Sequence, residues 1–116
     1  MTVFVAALTG SVGALARYLL SGALQNRSRT TLPIGTAGVN LLGALLLGLI
    51  VGASDGSLLW TAAAGFTGGL STFSTWMVET IGLGIVPKPS FRAVANLLIV
   101  ATLGVALAAL GYHITN

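Results

Sequence analysis

GFTGGLSTFSTW, residues 65–76, interrupts the third of four apolar segments in this chain. It holds three glycines and five hydroxyl residues (Thr67, Ser71, Thr72, Ser74 and Thr75), together with Phe66, Phe73 and Trp76. An ordinary membrane helix does not gather so many helix-weakening and hydroxyl residues at mid-depth. Non-helical backbone is tolerated inside a bilayer only where protein or a water-filled cavity covers it. The carbonyls and amides freed at such a break serve as ion ligands. Composition leaves one alternative open, a glycine-rich packing seam between helices.

The surrounding chain is a membrane sequence. Of its 116 residues, 55% are hydrophobic and 6% charged, against about 25% charged in a soluble domain. Four spans of about 20 residues each use most of that length, so residues 1–116 read as a single four-helix transmembrane unit. The fold class expected is all-α, with the third helix broken at mid-membrane. There is no cysteine, which excludes disulfides. Five basic residues scattered along the chain do not make a nucleic-acid surface. No basic residue precedes the first apolar run, so it does not read as a signal peptide. One His and two acids offer no catalytic constellation, and no enzyme is expected.

The first span is read as about 3–23. Ala6, Gly10 and Ala14 lie four apart and give a smooth face to a neighbouring helix. Arg17 lies inside this span, where a guanidinium faces a cavity or a partner or snorkels to the interface. The second span, about 34–53, follows Pro33 at a favourable start position. Asn40, Ala44, Gly48 and Gly52 share one stripe, so an amide stands among small residues. That amide can donate to an anion or bond across helices. The third span, about 58–86, exceeds one crossing, and the excess fits a break near 68–72. Glu79 lies beyond it, with Arg17 or a basic loop residue as its expected ion-pair partner. Two prolines around Lys88 end that helix. The fourth span, about 91–112, carries Asn96, Gly104 and Ala108 on one stripe, and His113 at its exit reads as an interface residue.

Charge placement orients the chain. Loops 24–32 and 87–90 lie on one side, with Arg27, Arg29, Lys88 and, at the edge, Arg92; the other side has only Asp55. By the positive-inside rule both termini face outward and the basic loops face the cytoplasm. The expected location is the cell membrane.

Three motifs occur in order: GALARY at 13–18, PIGTAGVNLLGALLLG at 33–48, and GFTGGLSTFSTWMVE at 65–79. Together they resemble those of the CrcB/Fluc fluoride channels over nearly the whole chain. The resemblance implies small four-helix subunits that assemble as antiparallel dimers, with two fluoride pores and one structural central sodium ion. It implies sodium held by the backbone carbonyls of Gly68 and Ser71, Asn40 as the fluoride-donating amide and Arg17 as the vestibule cation. Phe73 and Trp76 then take the places of the pore aromatics, with Ser74 and Thr75 between them. The chemistry agrees. A small, strongly hydrated anion needs replacement donors, which amides and hydroxyls supply, and aromatic rings present a positive edge.

Three positions depart from the family pattern. Trp76 stands where Phe is usual, and the indole brings an N–H donor. In the fourth span Asn96 and Val100 fall where Tyr and a hydroxyl residue are usual, so a polar track is partly missing. With the strong charge bias, these departures favour a fixed orientation and an oppositely oriented paralogue, giving a heterodimer with unequal pores rather than a homodimer. A non-conducting accessory subunit is one alternative. A small multidrug exporter coupled to protons is another, although such proteins depend on an acid in their first helix and none is present here.

Overall fold

The structure is a computed structural model that describes residues 1–84 and 87–116. Its described residues form five helices: α1 (Thr2–Ser28), α2 (Ile34–Gly52), α3 (Leu58–Leu70), α4 (Phe73–Gly82) and α5 (Phe91–Thr115). No strand occurs among the described residues. By length and composition α1, α2 and α5 can each cross a membrane. α3 and α4, of 13 and 10 residues, are each too short, but in sequence they divide one crossing. At about 1.5 Å per residue the pair reaches the roughly 30 Å of a bilayer core. The expected end of the third span at Val86 lies outside the described residues.

Local chemistry sets most of the boundaries. The side chains of Ser57, Thr72 and Ser90 accept from the N–H groups of Trp60, Thr75 and Ala93, capping α3, α4 and α5; such caps satisfy donors that a helix start leaves free. α1 runs to Ser28, five residues beyond the expected end. Residues 24–28 are therefore helix rather than loop, because leaving an apolar layer does not itself stop a helix. The turn comes at Arg29, whose φ of 47° is left-handed. Gln25 straps that turn. Its Nε2 donates to the carbonyls of Thr30 and Leu32, and its Oε1 accepts from the Gly35 N–H.

Two close-packed seams hold the bundle. In the first, α1 meets α3. A Cβ on Gly13 would strike the Phe66 carbonyl, and one on Gly69 would strike the Gly10 carbonyl. In the second, α2 meets α5. A Cβ on Gly48 would strike the Ala108 carbonyl, and one on Gly111 the Leu45 carbonyl. Backbone on the far side cannot move aside as a flexible side chain would, so only glycine admits these approaches. Ala6, Gly10 and Ala14 on α1, and Gly48 and Gly52 on α2, all lie at such contacts.

The break is narrower than expected and is not made by the glycines. Gly68 and Gly69 remain helical within α3. Only Ser71 (φ −84°, ψ 156°) and Thr72 (φ −147°, ψ 123°) are extended. The packing-seam reading therefore holds for Gly65 and Gly69, and the broken-helix reading holds for the hydroxyl pair that follows them.

The two basic loops lie at one end of the bundle, where Arg92 Nη2 donates to Thr31 Oγ1 at 2.6 Å. At the other end Thr115 Oγ1 donates to the Leu49 carbonyl at 2.9 Å.

Candidate functional site

The backbone freed at residues 71–72 is satisfied by side chains from α1 and α2. Asn40 treats Thr72 as a strand would treat its neighbour: its Nδ2 donates to the Thr72 carbonyl at 2.9 Å, and its Oδ1 accepts from the Thr72 N–H at 2.7 Å. In an unbroken helix that N–H would go to the carbonyl of Gly68, so the clasp releases Gly68 O. Arg17 Nη1 donates to the Ser71 carbonyl at 3.0 Å. A buried break needs such partners, and both Arg17 and Asn40 supply them.

Three cavities meet at this point. The first, about 400 Å³, is a groove lined by Asn40, Ser71, Thr72, Phe73 and Trp76 together with Val100 and Gly104 of α5. The second, about 240 Å³, holds Arg17, Tyr18, Ser21, Thr36 and Thr75. The third, about 230 Å³, is lined by Gly68, Ser71 and Asn40 with Gly43, Ala44 and Thr67. The expected pore residues are thus divided. Asn40, Phe73 and Trp76 share the groove, Thr75 faces the Arg17 cavity, and Ser74 lines neither, with its Oγ 3.4 Å from Thr72 Oγ1. The Phe73 and Trp76 rings meet edge to face, with centroids 6.0 Å apart and planes at 78°. Phe73 stays 71% exposed.

The ion pair expected for Glu79 is not formed among the described residues. Glu79 Oε1 accepts from Thr36 Oγ1 at 2.9 Å, while Arg17 is taken up by the break. Thr36 on α2 offers a nearer partner than any basic loop residue. Glu79 Oε2 and Trp76 Nε1 are buried without a hydrogen-bond partner among the described residues. Both belong to α4.

Three polar residues of this region were not foreseen. Thr36 stands one turn before Asn40 and reaches Glu79. Thr80, 1% exposed, donates to the Trp76 carbonyl at 2.7 Å and accepts from Asn96 Nδ2 at 2.8 Å. Tyr18 lines the Arg17 cavity. Spacing held the signal for two of them, since Thr36 is i−4 to Asn40 and Thr80 is i+4 to Trp76. Asn96 is therefore a link between α4 and α5. Val100 is buried and lines both the groove and a further cavity of about 270 Å³ that holds Asn96 and Arg92.

A model of the family described as "CrcB-like protein, Camphor Resistance (CrcB)" matches residues 4–112. A protein of Mycobacterium bovis named fluoride-specific ion channel FluC 2 is 41% identical over 112 residues, which cover 94% of this chain and 86% of that protein. One of Rhodococcus jostii with the same name is 37% identical over 117 residues, the full length of both. Nocardia farcinica contributes a fluoride-specific ion channel FluC 1, 48% identical over 77 residues that cover 66% of this chain and 54% of that protein.

Proposed function

This chain belongs to the CrcB family of fluoride channels, is membrane-spanning and not an enzyme, and from that premise we propose that it is one subunit of an antiparallel dimer that lets fluoride leave the cytoplasm passively. Family membership sets aside the multidrug exporter. The single observation that carries the rest is the divided third crossing, whose loosened backbone is clasped by Asn40 and Arg17 beside a groove walled by Phe73 and Trp76.

A desolvated fluoride ion needs donors. In this reading Asn40 supplies one: its Nδ2 carries two hydrogens, and Thr72 uses one of them. The edges of Phe73 and Trp76 supply positive flanks. Ser74 and Thr75 offer hydroxyls along the same turn. Arg17 draws anions toward the break without entering the groove.

The oxygens at the break fit a hard monovalent cation. Gly68 O has lost its helical donor to Asn40, and Ser71 O retains a lone pair beyond the one given to Arg17. Sodium would be held by these two carbonyls from each subunit. When bound, it fixes the two breaks against one another.

The partner is an inverted paralogue rather than a second copy. Arg27, Arg29, Lys88 and Arg92 all sit toward one end, and Asp55 alone toward the other, which favours a single insertion direction with both termini outside. The names FluC 1 and FluC 2 carried by relatives support a paralogous pair. Val100, an apolar wall in this chain's groove, supports unequal pores and keeps the accessory-subunit reading alive. Fluoride-electrode recording of efflux from liposomes tests the proposal. Flux is expected when this chain is reconstituted with a paralogue of opposite charge bias, and little flux from this chain alone. Full flux from a purified homodimer would refute the heterodimer. Silence in both preparations would refute the channel.

A further inference from the structure

The main chain at Trp76 is fixed, because its carbonyl accepts from Thr80 Oγ1 and Thr80 accepts from Asn96 of α5. Its side chain is not satisfied in the same way. Trp76 Nε1–H is buried and has no acceptor among the described residues. The chain's other indole shows the contrast, since Trp60 Nε1–H is spent on the Ile50 carbonyl at 2.8 Å. A buried indole N–H ordinarily finds an acceptor, and leaving one without is unfavourable. The groove beside Trp76 suits a negatively charged partner. Its ring walls the groove that Asn40 also lines, and no carboxylate lines that groove. The groove opens at the first turn of α4, where the helix dipole favours an anion. Glu79, one turn further on, has one oxygen held by Thr36 of α2.

We infer that the missing acceptor is the permeating halide: Trp76 Nε1–H is a hydrogen-bond donor to fluoride, reached when the indole turns from its buried seat into the groove whose wall it forms. This rests on the reading of the chain as a fluoride-channel subunit and adds to it a donor that a phenyl ring lacks. An N–H binds a small anion more strongly than a ring edge does. Replacing Trp76 by Phe should therefore weaken fluoride binding by roughly tenfold, equivalent to about 1.4 kcal/mol. Chloride, larger and less demanding of donors, should be little affected.

The test uses the assembled dimer in lipid nanodiscs with Trp60→Phe in this chain and a partner chain free of tryptophan, so that Trp76 is the sole indole. Sodium fluoride and sodium chloride are titrated at constant ionic strength while indole emission is followed. A saturable shift with fluoride, absent with chloride and absent in the Trp76→Phe protein, supports the assignment. Flat emission with fluoride flux intact in both wild type and Trp76→Phe overturns it while leaving the channel reading standing. Flat emission with no flux in any preparation overturns both. Should Trp60→Phe fold poorly, 5-fluorotryptophan in the otherwise unaltered chain gives the same readout by fluorine NMR, with the Trp76 resonance assigned by its loss in Trp76→Phe.

Discussion

α3 and α4 are two halves of one crossing, yet the chain treats them differently. α3 is packed on both sides. Gly65 and Gly69 admit the α1 backbone, Thr67 and Leu70 are buried, and Trp60 is hydrogen-bonded to α2. α4 holds the chain more loosely. Phe73, Val78 and Ile81 are 71%, 69% and 57% exposed, and both orphaned buried polar atoms among the described residues, Trp76 Nε1 and Glu79 Oε2, sit on it. A finished structural helix has no reason to carry such debts. The difference teaches that α3 anchors the break from within one chain, whereas α4 carries polar atoms for which the described residues supply no partner; in the proposed reading an ion or an inverted subunit completes it.

Substitutions on the two halves should therefore fail in different ways. The largest effect is expected from Gly69→Ala. Its new Cβ would meet the Gly10 carbonyl, and overpacking against backbone costs about 1–3 kcal/mol or more. Thermal unfolding in detergent should show a much lower midpoint, whereas Val78→Ala on α4 should leave the single chain's midpoint nearly unchanged and weaken only dimerisation.

Next comes Asn40→Ala, which removes the partner of both main-chain groups of the half-buried Thr72, a loss of about 1–3 kcal/mol in all. It should lower stability and abolish fluoride flux together. Asn40→Asp keeps an acceptor for the Thr72 N–H but removes the donor and adds a negative charge. It should spare more of the stability while still eliminating flux in the liposome efflux assay. Equal flux in Asn40→Asp and wild type would break the link between clasp and pore.

A smaller, opposite effect is expected at Val100, which stands between the groove and the Asn96 cavity. An apolar constriction resists a hydrated ion. Val100→Ser should therefore raise the flux of the assembled channel several-fold, and Val100→Leu should lower it.

The smallest lies outside both halves. Asp55 accepts the Ser57 N–H at 2.8 Å, and hydrogen bonds from the Ser57 side chain and backbone hold its carboxyl below the usual carboxylate value. A depressed folded-state value contributes stability above the unfolded value and loses it as pH falls through the folded one. A slight loss of unfolding midpoint under acid, absent in Asp55→Ala, should appear in pH-scanned melts.

The contrast between the halves was partly legible in the residues. The hydroxyl run at 71–75 announced a break, because Ser and Thr neither favour a helix interior nor suit lipid. Gly65 and Gly69 looked like part of the same weakness, but their function is packing, which only the position of α1 reveals. Asn40 was recognisable as an amide among small residues. That it would hold Thr72 by both edges depended on which backbone lay 32 positions away. Glu79, the only acid within a span, suggested a cation, and the nearby hydroxyl of Thr36 is silent in a charge count. Gln25 gave no signal, since its three bonds exist only once α1 overruns its apolar stretch. The freedom of the Trp76 N–H is a property of the assembled α4–α5 contact and leaves no trace in spacing.

The most direct measurement is an experimental structure of the dimer in lipid, determined in fluoride and again in chloride. Density for a single ion between Asn40 and the edge of Phe73, present in fluoride and lost in chloride, is the predicted result. A groove filled by the partner's side chains or by lipid in both conditions, with no ion against Asn40, would contradict the account.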